Sequence, residues 1–344
     1  MIIHINLAKG FRGGERQTML LIEELSKKDY HQKLIVRQNS DLASRLEKLQ
    51  LSNLEIIAIG KPYLFHLNVF NGASIVHAHE TKAAQLAYFV NMIYRIPYII
   101  TRRVDNSIKN NFFNKKMYEN AFCVVVLSKA IEYETLKISP KIKIKIIPSA
   151  YTKLQIDEEN VKMLKKRFEG KFVIGNIGEL DNTHKGQYYL IEAAKMIEKK
   201  YPKIHFIFLG RGKDEENYRN QSANLSNITF EGFVDNVGDY IACMDGFAFP
   251  SLNEGLGSIL LDIMQAKVPI VASDIGGIPD IIKDNKNGLL VEVKNAQAIF
   301  EAIEKIYLNQ TLREKFANEA YKTIENFSKE MMCNRYEKVY EELK

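Results

Sequence analysis

The sequence is poor in several features that mark other protein classes. It has no tryptophan and only three cysteines among 344 residues, widely spaced at Cys123, Cys243 and Cys333, so neither a disulfide framework nor a zinc site is expected. No apolar run reaches the ~18 residues of a membrane-spanning helix, and the N-terminus has no basic start or cleavage site. We therefore expect a cytoplasmic protein, with buried thiols at Cys123 and Cys243.

Charge is distributed unevenly along the chain. The whole sequence has 48 Lys and Arg against 42 Asp and Glu, a net charge of +6. Residues 1–150 hold 22 of these basic and 12 of these acidic residues, which leaves the remainder slightly acidic. The basic half predicts an anionic partner such as a membrane surface, although a solvated lysine-rich surface would give the same counts. Without a base-reading or aromatic motif, no nucleic-acid partner is expected.

Strand-like and helix-like segments alternate along the whole chain, which predicts an α/β protein with doubly wound parallel sheets. The series starts again at Phe172, so two Rossmann-like domains are expected, at 1–155 and 156–325, followed by an amphipathic helix in 326–344 with Ser328 as its N-cap. The predicted strands are Ile2–Leu7, Lys33–Arg37, Leu54–Ile59, Ala73–His79, Tyr98–Arg102, Phe122–Leu127, Lys143–Pro148, Phe172–Ile177, Ile204–Leu209, Ile228–Phe230, Gly246–Phe249, Ile270–Ala272 and Gly288–Val291.

Three turns that follow predicted strands carry glycines beside basic residues. Gly13 and Gly14 precede Arg16 and the first helix, and this turn is not the G-x-G-x-x-G dinucleotide fingerprint. Glycines let a ligand approach the backbone, and the start of a helix offers free amides to an anion. Lys185 is a candidate phosphate-binding residue in the second turn, and Arg211 is a candidate cation in the third, with solvated loop residues as the alternative.

The most informative segment runs from Phe249 to Ser258 and continues into an apolar helix. Glu254 lies in its loop, and Asp262 lies in the second turn of the helix. The eight-residue spacing leaves about 80° of helical rotation between the two acids, so both could line one cleft wall. Carboxylates bind sugar hydroxyls, and helix N-termini hold phosphate. The segment therefore predicts a nucleotide-sugar site.

These motifs together resemble glycosyltransferase family 4, and the resemblance covers the whole chain. It rests on the following segments: Gly13-Gly14-Glu15-Arg16, Val76-His77-Ala78-His79-Glu80, Lys185-Gly186, Glu254 to Asp262, Gly276-Gly277-Ile278-Pro279-Asp280, and Gly288-Leu289-Leu290-Val291. The family implies the GT-B fold, in which two Rossmann-like domains face each other across a cleft. It also implies that the C-terminal helix crosses back to the first domain.

The resemblance implies retaining transfer of a sugar from a nucleotide diphosphate donor, without a metal or other cofactor. Glu254 would contact the hydroxyls of the donor sugar, Asp262 the ribose, and Lys185 the phosphates. The amides of Gly255, Leu256 and Gly257 would lie near the sugar and diphosphate. No two aspartates are two positions apart, so the D-x-D metal site of the other main glycosyltransferase fold cannot be built.

Three positions depart from the family pattern. The second acid is usually Glu, where this chain has Asp262. The Arg expected six positions before Lys185 is Glu179, so Arg211 or Arg16 would have to supply the missing charge. A histidine often follows the strand that ends near Thr101, but Arg103 lies there instead. His79 and Arg103 are therefore both candidates for the catalytic polar group nearest the anomeric carbon.

The function expected from the sequence is transfer of a sugar from a UDP-, GDP- or ADP-linked donor to a glycan or lipid-linked acceptor. The basic half and the motifs favour bacterial lipopolysaccharide or other cell-surface glycan synthesis, at the inner face of the cytoplasmic membrane. Two alternatives stay open: a non-hydrolysing nucleotide-sugar epimerase, and a sugar-nucleotide binding protein without activity.

Overall fold

The computed structural model describes residues 1–343 and divides the chain into two compact units. The first unit contains residues 1–150 together with 327–343, and the second contains Tyr151–Asn326. The predicted boundaries at 155 and 325 lie within five residues of these divisions. Lys344, the last residue of the predicted C-terminal segment, lies outside the described residues.

The first unit is built on a seven-stranded sheet with the order β3-β2-β1-β4-β5-β6-β7, and every pairing between its strands is parallel. The strand order reverses between β1 and β4, which is the position where doubly wound sheets bind ligands. Its strands are β1 (Ile2–Asn6), β2 (Gln32–Arg37), β3 (Leu54–Ile59), β4 (Ile75–Ala78), β5 (Tyr98–Arg102), β6 (Cys123–Val126) and β7 (Ile144–Ile146).

Helices of the first unit connect these strands, and a 3₁₀ segment, Tyr63–Phe70, precedes β4. β6 is a run of Cys and Val that is wholly buried, as expected for a strand covered on both faces. The helices are α1 (Gly13–Ser26), α2 (Asp41–Glu47), α3 (Thr81–Tyr94), α4 (Phe112–Glu119) and α5 (Lys129–Leu136), with α14 (Lys329–Glu341) from the far end of the chain.

The last helix, α14, belongs to the first unit, as predicted. Ser328 caps it by accepting a hydrogen bond from the Met331 backbone N–H at 3.1 Å. Its apolar stripe is buried and packs in one cluster with side chains of α1 and the sheet. An ion pair between Lys329 and Glu24, 3.0 Å long, adds a second contact between α14 and α1.

The second unit has a six-stranded sheet with the order β10-β9-β8-β11-β12-β13, again parallel throughout. Its strands are β8 (Phe172–Ile177), β9 (Ile204–Leu209), β10 (Ile228–Gly232), β11 (Gly246–Phe249), β12 (Ile270–Ser273) and β13 (Leu289–Val291). Its helices are α6 (Glu158–Arg167), α7 (Gln187–Lys200), α8 (Glu215–Gln221), α9 (Val237–Ile241), α10 (Ile259–Gln265), α11 (Ile278–Ile281), α12 (Ala296–Leu308) and α13 (Gln310–Ile324).

The core of the second unit is formed where amphipathic helices cover its sheet. In α7, Leu190, Ile191, Ala194 and Ile197 recur with the spacing of one helical face and are fully buried. They pack in one cluster with the buried face of α12 and with strand side chains. The repeated order of strands and the alternation with helices make both units Rossmann-like.

The predicted elements are confirmed in type and order. All thirteen strands are present, and their ends differ from the predicted ends by at most two residues. The prediction that Cys243 is a buried thiol is wrong, because this residue is half-buried near the surface helix α6, whereas Cys123 and Cys333 are buried. Within residues 1–343, no helix combines the length and the apolar character needed to cross a bilayer.

Candidate functional site

The carboxyl ends of β1, β4 and β5 bring together three of the predicted residues of the first unit. Gly14 follows β1, His79 follows β4 and Arg103 follows β5, and these strands are neighbours in the sheet. A Cβ atom on Gly14 would lie 3.3 Å from Cδ of Arg103, so the small residue lets the arginine pack against the start of α1. Gly13 has open space around its Cα.

A cluster of three buried histidines lies directly beneath this edge. His4 and His77 are paired across β1 and β4, and His79 lies one step further on the same face. His4 Nδ1 and His79 Nε2 are 3.0 Å apart, and the rings of His77 and His79 have centroids 3.9 Å apart. This cluster, His4, His77 and His79, is called the histidine cluster below.

Two tyrosines of α14 cover the histidine cluster. The Tyr340 hydroxyl lies 2.7 Å from His77 Nδ1, and the Tyr336 hydroxyl lies 3.1 Å from Thr101 Oγ1. Thr101 in turn lies 2.7 Å from His77 Nε2. The amphipathic helix α14 therefore packs on the first unit and also supplies hydrogen bonds to its interior.

Burial keeps the histidine cluster neutral. Desolvation lowers the pKa of His4 to about 4, with the hydrogen bond to Gln32 opposing it. Desolvation also lowers the pKa of His77 and His79 well below the usual value, and the neighbouring histidines and Arg103 lower it further. Burial likewise lowers the pKa of the Arg103 guanidinium, and Tyr336 and Glu15 act in the opposite direction.

The histidine cluster is also the group that could hold a metal, because one nitrogen from each ring lies within 4.8 Å of the others. Both nitrogens of His77 are engaged by Tyr340 and Thr101, and both nitrogens of His4 are engaged by Gln32 and His79. A metal would therefore have to replace existing hydrogen bonds. Metal independence stays a prediction.

Glu80, the acid of the His77–Glu80 motif, caps a helix. Its carboxylate accepts hydrogen bonds from the backbone N–H groups of Ala83 at 2.8 Å, Lys82 at 2.6 Å and Leu7 at 3.3 Å. Burial raises the pKa of this carboxyl, and the three backbone hydrogen bonds oppose the rise. Glu80 therefore links the start of α3 to the end of β1, which is a structural role.

In the second unit, the loops after β8 and β11 bring Lys185 and Glu254 into direct contact. Lys185 Nζ lies 2.6 Å from Glu254 Oε2, and the two side chains are 27% and 17% exposed. Lys185 Nζ also lies 5.7 Å from the centre of the Phe249 ring. The predicted phosphate-binding cation and the predicted sugar-binding acid thus form one partly buried ion pair.

Backbone contacts fix the position of this pair. Gly186 has a φ of +63°, and a Cβ there would lie 2.1 Å from the carbonyl oxygen of Pro250, so only glycine fits. The Leu252 N–H donates to the His184 carbonyl at 2.8 Å. The Gly277 N–H donates to the Glu254 carbonyl at 2.9 Å, which ties the turn after β12 to the same loop.

Asp262 has a different environment from Glu254. Its side chain is 3% exposed, and Oδ1 accepts hydrogen bonds from the Thr152 backbone N–H at 2.8 Å and hydroxyl at 3.0 Å. The acid therefore anchors the first residues of the second unit to α10. The two acids contact different groups in this structure, and the ribose contact of Asp262 stays a prediction.

The remaining predicted residues lie in the segments that follow the carboxyl ends of β1, β8, β9 and β11. The Arg211 side chain is exposed and packs against Gly232, at the end of β10. Arg16 is half-buried in the first turn of α1. Leu256 is buried, and Gly257 adopts a left-handed conformation with a φ of +79° two residues before α10, whereas Gly255 directly follows Glu254 in the loop. Glu179 is exposed after β8.

Sequence reasoning missed several polar residues of the first unit. His4 and Gln32 lie in the apolar strands β1 and β2, and Thr101 lies in β5. The strand order reverses between β1 and β4, and each of these strands has a histidine at its third position. This pattern is the signal that could have identified His4. Pairing of β1 with β4 brings these histidines together, although 73 positions separate them in the sequence.

Comparisons with known proteins agree with this geometry. Residues 157–323, which make up most of the second unit, match the family model described as glycosyl transferases group 1. The resemblance seen in the motifs is thereby confirmed at the level of this group. The match covers the part of the chain that holds Lys185, Glu254 and Asp262.

Relatives and solved structures extend the likeness. EpsD of Bacillus subtilis (strain 168) is 31% identical over 175 residues, 50% of this chain and 46% of its own length, so the chain spans about half of that relative. The lipopolysaccharide core biosynthesis glycosyltransferase LpsE of Rhizobium meliloti (strain 1021) is 22% identical over 346 residues, 97% of each chain. The crystal structure of Anabaena Alr3699/HepE in complex with UDP has a TM-score of 0.86 at 17% identity, over 99% of both chains. These likenesses agree with the GT-B fold.

Proposed function

We propose that this protein is a retaining glycosyltransferase that moves a sugar from a nucleotide diphosphate donor to a glycan or lipid-linked acceptor. The second unit binds the donor, and the basic first unit binds the acceptor. The acceptor belongs to bacterial lipopolysaccharide or another cell-surface glycan, as the name of LpsE suggests by analogy.

One observation carries the proposal: the ion pair of Lys185 and Glu254 within the group 1 domain. A diphosphate needs a cation, and sugar hydroxyls need an acceptor oxygen. On donor binding, Lys185 exchanges the carboxylate for phosphate oxygens, and Glu254 exchanges the ammonium for hydroxyl groups. Because backbone hydrogen bonds hold the two loops, Lys185 and Glu254 are placed side by side before a donor binds.

The proposed reaction is front-face attack. The acceptor hydroxyl forms a bond to the anomeric carbon on the side from which the diphosphate leaves, and the bond from that carbon to the phosphate oxygen breaks. The hydroxyl proton passes to the departing diphosphate, so atoms and charge balance without a covalent enzyme intermediate. Lys185 stabilises the charge that develops on the leaving group, and Glu254 orients the sugar.

A screen of UDP-, GDP- and ADP-sugars tests the proposal. A rise in the melting temperature with one nucleotide class would identify the donor, since a ligand that binds the folded state stabilises it. NMR of the product formed with that donor would then give the configuration of the new linkage. Inversion at the anomeric carbon would contradict the proposal, and conversion of the donor sugar without an acceptor would indicate an epimerase. Tight binding without turnover across acceptors would indicate a binding protein.

We also propose that the first unit binds an anionic membrane surface through one face. There α3 contacts both the 3₁₀ segment and α4, with Phe113 of α4 packed against Tyr88 and Phe89 of α3. Phe65 and Phe112 are 80% and 77% exposed on this face. None of the other exposed side chains of the three elements and their flanks is acidic. Besides uncharged polar residues such as Asn68, Thr81, Asn110 and Asn111, they include the following apolar and basic residues: Lys61, Leu64, Lys82, Met92, Ile93, Tyr94, Arg95, Lys109 and Lys115. Apolar anchors and basic charge together match anionic lipid.

Sedimentation with vesicles that contain anionic lipid tests this surface. The wild-type chain is expected to bind at low salt and to be released as salt is raised, because screening weakens the charge attraction. Phe112→Ser should weaken binding several-fold, since an apolar anchor is lost. Phe233→Ser, which removes a 69% exposed aromatic of the second unit, should leave binding unchanged. Equal binding to neutral vesicles would contradict the proposal.

A further inference from the structure

His79 has one ring nitrogen with a partner and one without. Its side chain is 3% exposed, and Nε2 lies 3.0 Å from Nδ1 of His4. Nδ1 is buried and has no hydrogen-bond partner among residues 1–343. A buried polar atom without a partner costs free energy, so such an atom at a candidate site needs an explanation.

The protonation of this nitrogen follows from a chain of hydrogen bonds that begins at Gln32. Its Nε2 donates to the Ile22 carbonyl at 3.1 Å and to the Ser26 hydroxyl at 2.9 Å, which fixes the orientation of the amide. Gln32 Oε1 is therefore an acceptor, and it lies 3.1 Å from His4 Nε2, which must carry the proton. In the neutral ring His4 Nδ1 is then an acceptor.

The same reasoning continues to His79. Because His4 Nδ1 accepts, His79 Nε2 must donate and therefore carries the proton. In the neutral ring of His79, Nδ1 is left with a bare lone pair. The amide of Gln32 thus sets the tautomer of a histidine that it does not touch.

The surroundings of His79 Nδ1 indicate which chemical group donates a hydrogen bond to it. Arg103, at the end of the adjacent strand β5, has a buried Nε that is also without a partner among the described residues. A lone pair and an N–H donor then lie on neighbouring strands at one edge of the sheet. A hydroxyl group suits such a pair, because it donates one hydrogen bond and accepts another.

We infer that Gln32 and His4 are positioning residues, which hold His79 in the Nε2–H form so that Nδ1 accepts a hydrogen bond from a sugar hydroxyl of the acceptor. The inference rests on the proposed function for the identity of the ligand. The tautomer itself follows from the hydrogen bonds of the first unit alone.

Nitrogen NMR of the full chain labelled at histidine tests the tautomer without any activity. Nδ1 of His79 is expected to give the signal of an unprotonated ring nitrogen, assigned by its loss in His79→Gln. Gln32→Leu should shift it toward a mixture of tautomers, because His4 is no longer forced to donate from Nε2. Asn53→Leu is the matched control, since Asn53 binds the Ser26 carbonyl at 2.8 Å and does not contact His4. A protonated Nδ1 in the wild-type chain would overturn the inference, whether or not the variants fold.

Two substitutions of His79 separate positioning of a ligand from simple packing. Gln places its amide at the position of Nε2 and keeps the contact with His4, whereas Asn places a polar atom at the position of Nδ1. With the donor found in the screen, we expect kcat to fall about tenfold further in His79→Gln than in His79→Asn. The melting temperature should fall more in His79→Asn. If kcat follows the melting temperature instead, His79 is structural and the inference is wrong.

The outcomes distinguish this inference from the proposed function. Should no nucleotide sugar bind or react, the proposed function fails, while the tautomer measurement still decides the roles of Gln32 and His4. Should transfer occur with Nδ1 of His79 protonated, the proposed function stands and the inference fails.

Discussion

The carboxyl edges of the two sheets use opposite kinds of polar chemistry. At the first edge, the histidine cluster is buried, neutral and connected by hydrogen bonds to Gln32, Thr101 and Tyr340. At the second edge, Lys185 and Glu254 are charged, partly exposed and paired with each other. The same Rossmann-like framework thus carries a neutral hydrogen-bonding centre in one unit and an ion pair in the other.

This difference matches the two substrates of the proposed reaction. A neutral, desolvated cluster suits an acceptor hydroxyl, because it offers directed hydrogen bonds without attracting anions. An ion pair suits a nucleotide diphosphate sugar, because each charge can exchange its partner for the group of matching chemistry. Buried polar networks act through geometry, whereas exposed pairs act through charge and are more sensitive to salt.

The largest effect is expected from removal of the acid at the second edge. Glu254→Ala should lower turnover by about two to three orders of magnitude, as for loss of a preorganised catalytic contact. Steady-state transfer with the identified donor is the measurement, and Glu301→Ala, an exposed acid of α12, is the control. Turnover within a factor of two of wild type would remove Glu254 from the site.

A smaller effect is expected for the cation of the same pair. Lys185→Ala should weaken binding of UDP or the corresponding diphosphate by about 10- to 100-fold, since a charge-assisted hydrogen bond is lost. Calorimetry gives the dissociation constant, and Lys213→Ala is the matched control. Lys213 pairs with Asp181 at 3.2 Å, but its side chain is 60% exposed. An unchanged dissociation constant would show that Lys185 does not bind the phosphates.

The smallest effect concerns acid stability of the first edge. Burial lowers the pKa of His4 to about 4 and lowers that of His77 and His79 well below the usual value. The unfolded chain therefore binds more protons below about pH 6.5, and stability falls as the pH drops from there toward 4. Arg103 adds repulsion to any charge on the cluster, and Tyr336 and Tyr340 face it from α14 as neutral groups.

Thermal unfolding between pH 7 and pH 4.5 measures this dependence. The wild-type melting temperature should fall by at least about 4 °C more than that of His4→Phe, which removes one of the groups that must take up a proton. An equal fall in the melting temperature of the wild type and of His4→Phe would mean that the histidine cluster does not control acid stability.

The fold could be predicted because each strand is a short apolar run followed by a helical segment. Val124, Val125 and Val126 fill a strand buried on both faces, and such runs predict a parallel sheet from the sequence alone. The loop positions of Lys185 and Glu254 could be predicted as well, because glycines and turns mark the ends of strands, whereas their roles toward a ligand stay predictions. Their direct contact required the structure, since it depends on how the loops after β8 and β11 cross.

The rest of the candidate site depends on contacts between distant segments. His4 has isoleucines on both sides in the sequence, and only pairing with β4 shows that it faces His77 and His79. The spacing of Asp262 from Glu254 predicts a position on a cleft wall, yet Asp262 binds Thr152, whose position relative to α10 no local pattern encodes. The buried hydroxyl of Tyr336 is equally invisible in an amphipathic stripe.

The placement of α14 has a consequence for biosynthesis. The helix that covers the histidine cluster is translated after the whole second unit, although it completes the first. While the ribosome makes residues 151–326, His77 and Thr101 have no tyrosine hydroxyls above them. The nascent first unit therefore keeps an uncovered apolar face during that time, and its final packing follows synthesis of the second unit.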